Sequence, residues 1–189
     1  HYKNVWSRLM GIPTLISTST VTSGTASIDI TSGIDSTYDE YMFVMTNVHG
    51  ATDNTHFGFQ FNVDAGADFN ETITSTWFET THDEAAGSAE VAYGGSYDQA
   101  QGTAFQQIGV GIGADADQNF NGILHLFNPS NTTYVKHFYA RDSYDWHISG
   151  AKSPFVAGYI NTTTAIDEIS FKFASGNIDA AVIQMYGIA

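Results

Sequence analysis

EYMFVMTNV, residues 40–48, alternates its side chains with a period of two. Tyr41, Phe43 and Met45 fall on one face of an extended chain, and Met42, Val44 and Thr46 on the other. A helix would space its apolar residues three and four apart, and no such spacing runs through this segment. The pattern returns in ISFKF, residues 169–173, where Ile169, Phe171 and Phe173 share a face and Lys172 takes the opposite one. A slip of one residue would turn either apolar set toward water, so such segments fix their own register.

Working outward from these two, further runs rich in Thr, Ile, Val, Phe and Tyr read as strands. They lie near 14–22, 25–31, 56–63, 71–78, 104–110, 121–128, 132–140, 155–161 and 181–188. Between them stand TSGIDSTYD (31–39), DAGAD (64–68), FNPSNTT (127–133) and ASGNID (174–179), with the Gly, Asn, Asp and Pro that tight turns need. HDEAAGSAEVAYGGSYDQAQGT (82–103) and RDSYDWHISGAKSP (141–154) read as long loops. Roughly ten short strands at this spacing predict an all-β fold, an antiparallel β-sandwich of jelly-roll type. Residues 14–189 form a single domain in this reading, preceded by an N-terminal arm, residues 1–13. Phe43, Phe59, Phe61, Ile73, Leu124 or Ile123, Phe171, Phe173, Ile183 and Met185 are the expected core.

Charge and composition exclude several functions. The chain has 6 Lys+Arg against 20 Asp+Glu, a formal net charge of −14, and no Cys. Such a charge repels a phosphate backbone and an anionic membrane surface, so neither nucleic acid nor membrane is an expected partner. No apolar run is long enough for a membrane-spanning helix. Without Cys there is no disulfide, thiolate metal site or cysteine nucleophile.

Motifs for catalysis are missing too. No G-x-S-x-G elbow, phosphate loop or H-E-x-x-H occurs, and GVGIG (109–113) reads as a strand end. The adjacent acid pairs Asp39/Glu40, Asp83/Glu84 and Asp167/Glu168 point to opposite faces of a strand, so they make no dyad. No enzyme activity and no cofactor are expected. Asp115, Asp117 and Asn119 resemble the opening of a calcium loop, but Phe120 and Leu126 occupy the places of its Gly and its closing Glu. Asp64, Asp68, Asn70 and Glu71 form a similar acidic loop. Solvated turns are the preferred reading of both, with calcium as the alternative. His125 and His137 lie on neighbouring strands, but no third ligand has a readable spacing, and they read as sheet histidines.

Binding is the chemistry the loops suggest. Tyr93 and Tyr97 in one long loop, and Tyr144, Trp146 and His147 in the other, are candidate recognition residues, because exposed rings stack on sugar faces or bury in partner surfaces. Tyr2, Val5, Trp6, Leu9 and Ile12 make the arm too apolar for a free tail and suggest an interface with a neighbouring chain.

TSGIDSTYDEYMFVMTNV (31–48), LHLFNPSNTTYVKHFYA (124–140) and GYINTTTAIDEISFKFASGNIDAAVIQMYGIA (158–189) together resemble a family of tailed-phage virion proteins from marine phages of cyanobacteria and pelagic bacteria. The most specific element is the closing block, Ser175–Ile178 and then Tyr186–Ile188. The resemblance covers about residues 10 to 189 and leaves residues 1–9 outside. It implies a structural protein on the exterior of the virion, either capsid decoration or part of a tail fibre or appendage, and no catalytic residues. Other virion proteins are the implied partners. A homotrimer is expected, since sandwich edges need protection and cyclic symmetry supplies it. A carbohydrate-binding module that recognises a host-surface glycan is the alternative.

Overall fold

The computed structural model describes residues 12–63 and 68–189. Among the described residues there is no helix, and strands make up 61%. In chain order they are β1 (Thr14–Val21), β2 (Ile28–Ile30), β3 (Glu40–Gly50), β4 (Thr55–Val63), β5 (Ile73–Asp83), β6 (Ala89–Tyr93), β7 (Ala100–Gly102), β8 (Gln106–Ile112), β9 (Phe120–Phe127), β10 (Lys136–Trp146), β11 (Gly150–Ile160), β12 (Ile166–Phe173) and β13 (Ile178–Ile188). The two deciding segments become β3 and β12. Burial in β3 switches residue by residue from Tyr41 to Met45, until Asn47, at a φ of 52°, breaks the register with β9.

All strand pairs are antiparallel, and they join into one nearly closed, barrel-like sheet. Its path runs β1-β13-β3-β9-β10-β8-β4-β12-β2. From β10 a second branch leaves through β11 to β5, whose far edge carries β6 and β7. Strand β10 is the junction. One of its edges pairs with β9 as far as Tyr144 and then with β8 through Trp146 and Ile112, while β11 lies along the other.

The interior is packed with phenylalanine. Phe57, Phe59 and Phe61 of β4 and Phe171 and Phe173 of β12 meet Phe43, Phe120 and Phe138 from the facing strands. Phe57 lies 5.2 Å from Phe120 and 5.0 Å from Phe173 between ring centroids, and Phe59 lies 5.2 Å from Phe138. Rings at these separations gain quadrupole contacts beyond the area they bury. Every expected core residue is buried except Ile123. Leu124 takes the inner position, and Ile123, 39% exposed, faces out.

The two long loops are not loops. Residues 141–146 continue β10, and 150–154 open β11, so only a short turn at 147–149 separates them. Residues 82–103 include the end of β5 and all of β6 and β7. Pro154 stands inside β11 although proline gives no hydrogen bond to a ladder. Here the β10–β11 register skips from Arg141–Phe155 to Tyr144–Lys152, and the Ser153 hydroxyl donates to the Asp142 carbonyl at 2.8 Å in the gap.

Of the arm, residues 1–11, with Tyr2, Val5, Trp6 and Leu9, lie outside the described residues. Ile12 is 74% exposed just ahead of β1. Phe57→Ala is expected to cost about 3–5 kcal/mol of stability in chemical denaturation, because it empties the space shared by Phe120, Phe171 and Phe173.

Candidate functional site

The candidate recognition residues separate. Tyr144 points inward and is 4% exposed. Its hydroxyl accepts the Val110 N–H at 2.9 Å and donates to the Val110 carbonyl at 3.0 Å. Burial pushes its pKa far up. It holds the barrel together and offers nothing to a ligand. Trp146 is half-buried, with Lys152 Nζ 4.4 Å from its ring centroid and His147 packed edge-on at 5.7 Å. Tyr97 packs on Trp77 at 5.0 Å and on His56 at 6.0 Å. Tyr93 is 62% exposed, its hydroxyl bonded to Asp98.

His56, absent from the sequence reading, links the two groups. Its Nδ1 accepts the Gly111 N–H at 3.0 Å, and the His147 N–H donates to the Gly111 carbonyl at 3.0 Å. Gly111 has a φ of 69°, and a Cβ there would sit 2.9 Å from Trp146 Nε1, so only glycine suits this crossing. Burial lowers the His56 pKa, which keeps the imidazole neutral as an acceptor. Beneath this belt Lys152 Nζ binds Glu79 Oε1 at 2.8 Å, both side chains largely buried. The cluster is dense packing of rings around one ion pair.

A different surface stands out on the outside of the sheet. The outward positions of β3, β9, β10, β11 and β5 carry Met42, Val44, Ile123, Phe127, Tyr139, Phe155 and Phe78. Rings form a row across four strands. His125 stacks on Tyr139 at 4.5 Å, Tyr139 on Phe155 at 6.1 Å, and Phe155 on Phe78 at 5.4 Å. His125 therefore makes no pair with His137; it hydrogen-bonds Glu40 instead. Glu40 and Asp145, at the two ends of this face, are its carboxylates. Between them sits Arg141, exposed and with no carboxylate partner among the described residues. A shallow concavity of about 570 Å³ opens beside it over Val44, Ile123 and Ser153.

Two further concavities bear on the earlier candidates. Asp115, Asp117, Glu84 and Asp145 line a polar cleft of about 190 Å³ at one end of the barrel. Among the described residues no group of three or more His, Asp or Glu side chains is placed to hold a metal ion. Asp64 lies outside the described residues. The last is a hollow of about 660 Å³ between the β9–β10 turn and β10, lined by Phe127, Asn128, Asn131, Tyr134, His137 and Thr163 among others.

Comparison with protein-family models, with curated proteins and with solved structures found no match.

One buried group gives a direct test of the interior. Asp142 faces inward over Gly122, where a Cβ would come within 1.9 Å of its Oδ1, and neither carboxylate oxygen has a hydrogen-bond partner. Desolvation raises its pKa well above the usual 3.8. The folded chain thus keeps a proton that the unfolded chain releases above 3.8, and stability falls as pH rises from there through the folded-state pKa. Asp142→Asn stays neutral throughout. Its stability relative to the natural protein is expected to grow between acidic and neutral pH, as measured by urea unfolding at each pH. A constant difference would show that Asp142 does not titrate with folding.

Proposed function

We propose that this chain is a non-enzymatic structural protein on the exterior of a tailed-phage virion, a capsid decoration or head or tail appendage subunit. The observation that carries this reading is the outer face centred on Arg141. Aromatic residues and arginine are enriched at protein interfaces, while acidic residues are depleted there. This face has that composition on a chain with 20 Asp+Glu. Chains of charge −14 repel one another least where they expose few carboxylates, and here Glu40 and Asp145 stand only at the two ends. The same surface would serve contact with further copies, in a homotrimer, and with other virion proteins. The resemblance of residues 31–48, 124–140 and 158–189 to marine-phage virion proteins supplies the virion itself.

Strand order supports a jelly roll widened by two insertions. Setting aside β5, β6, β7, β10 and β11 leaves eight strands in two sets, β1-β13-β3-β9 and β2-β12-β4-β8. Their pairs are first with last, second with seventh, third with sixth and fourth with fifth. A folded ribbon of eight strands gives that order, and jelly rolls of this kind build viral capsid and lectin domains. Fold alone does not assign function, so this order adds weight without deciding.

A host-surface glycan is the second partner proposed, on the strength of the neutral hollow beside Tyr134.

Arg141→Glu is expected to weaken attachment to the particle by about 1–3 kcal/mol, the scale of an interface anchor. Its folding stability should stay within about 0.5 kcal/mol, as for other surface changes. Deleting residues 1–13 is expected to abolish attachment while the β-fold persists in far-UV circular dichroism. Quantitative mass spectrometry of purified particles reads both, and the copy number separates capsid decoration from a tail appendage. Particles that lack the chain altogether would overturn the proposal.

A further inference from the structure

The hollow beside Tyr134 combines a pocket's volume with a hydrogen-bonded rim. Its size, about 660 Å³, lies within the range of small-molecule pockets. Its rim is the turn FNPSNTTYV (127–135), and that turn is rigidly held. The Asn131 Oδ1 accepts the N–H groups of Thr133 at 2.7 Å and Tyr134 at 2.8 Å. The Asn128 N–H donates to the Asp39 carbonyl at 2.6 Å, and the Ile166 N–H to the Pro129 carbonyl at 3.0 Å. Asn128 adopts a φ of 48°, a conformation asparagine tolerates better than most residues. These ties present Tyr134 to solvent at 71% exposure on a fixed backbone. The backbone beneath the ring is therefore already ordered, and binding has only the side-chain rotamers left to fix.

The chemistry of the lining selects the ligand. Phe127, Tyr134, Val135 and His137 give apolar and aromatic surface, and no Asp, Glu, Lys or Arg lines the hollow. Asn128, Asn131, Thr133 and Thr163 surround it. Among the described residues the Asn128 side-chain amide, the Asn131 Nδ2 and both threonine hydroxyls have no internal partner. Amides and hydroxyls both donate and accept, which matches ligand hydroxyls that do the same. The apolar C–H face of a pyranose fits an exposed ring, and its hydroxyls fit this rim. A charged sugar would find no counter-charge here.

We infer that the hollow between residues 127–135 and His137 is a binding site for a neutral saccharide, with Tyr134 as the stacking ring. This deepens the second of the two readings above and is independent of the first: particle copy number tests one and sugar binding the other.

The test is nuclear magnetic resonance titration of the isotope-labelled full chain with glucose, galactose, mannose, N-acetylglucosamine and their neutral oligomers, at millimolar concentration. The expected result is a saturable shift of the Asn128, Asn131, Tyr134 and His137 resonances by at least one of them, with glucuronate weaker. Tyr134→Ala should weaken that binding by roughly tenfold without changing Tm, since the ring is exposed. Asn131→Asp keeps the acceptor that holds the turn and removes the amide donor, so it should weaken binding while the turn resonances stay in place. Titration with an apolar peptide is the counter-test. No shift with any sugar, shifts mapping elsewhere, binding indifferent to Tyr134→Ala, or shifts produced by the peptide alone would each overturn the inference.

Discussion

Strand β10 belongs to both walls of the barrel, and the closure of the fold depends on its last turn of chain. Up to Tyr144 it completes the sheet that runs from β1 to β9; at Trp146 it pairs with β8 of the opposite wall. A single ladder bridge is a weak joint. The Tyr144 hydroxyl reinforces it by bonding both backbone groups of Val110, and Gly111 bends to let Trp146 and His147 pass. Buried hydrogen bonds of this kind matter most when lost, because each unpaired group then bears its full desolvation cost. With that side shut, the phenylalanines of β4 and β12 are enclosed. On the other side the path ends in β1 and β2, which do not pair with each other. The fold blunts these edges: β2 is three residues long, and the β1 register shifts between Leu15 and Ser17.

Inside, two glutamine amides carry much of the polar pairing. Gln60 Nε2 donates to the carbonyls of Glu71, Thr103 and Ala104, and Gln106 bonds Ser75, Tyr97 and Gln107. These two side chains satisfy the backbone of irregular segments that have no ladder of their own. Lys136 does the same for the turn before β12, donating to the carbonyls of Thr162 and Thr164, and its burial lowers its pKa. Lys152 is occupied by Glu79, and Lys172 lies over the Phe105 ring at 3.9 Å. The cations of the described chain are thus committed to structure, with Arg141 as the exception.

The strands were legible in the sequence because their alternation is strong and their turns carry Gly, Asn and Asp. The errors share a physical cause. Gly150, Ser153 and Pro154 are local breakers, and β11 overrides them with tertiary pairing on both edges, to β10 and β5. β6 was hidden because Ala89, Val91 and Tyr93 stay exposed at a sheet edge, where no burial enforces a pattern. The same limit applied to function. Tyr144 and Trp146 read as loop aromatics, but an aromatic side chain carries no mark of which way its strand faces. Tyr134, 71% exposed, was read as part of a strand near 132–140, but that strand begins only at Lys136 and leaves the tyrosine in the preceding turn. His56 became visible only when β4 and β8 brought it to Gly111.

Where the acids are absent says more than how many there are. A net charge of −14 distributed evenly would leave no surface that another acidic chain could approach, and no pocket without a field. Here the outward rows of β9, β10 and β11 hold Ile123, Phe127, Tyr139, Arg141, Phe155 and Tyr159, with Asp145 only at the far end. The hollow beside Tyr134 is likewise free of charged side chains. The two surfaces differ in how they present their rings. On the outer face His125, Tyr139, Phe155 and Phe78 spend their flat sides on one another, which leaves edges for a broad apolar partner. Among the described residues Tyr134 makes no such stack; its backbone is held by the turn and its ring stands in solvent. The two surfaces meet at Phe127, whose ring lies against His125 and Tyr139 on one side and lines the hollow on the other, and they differ in where their rings find neighbours.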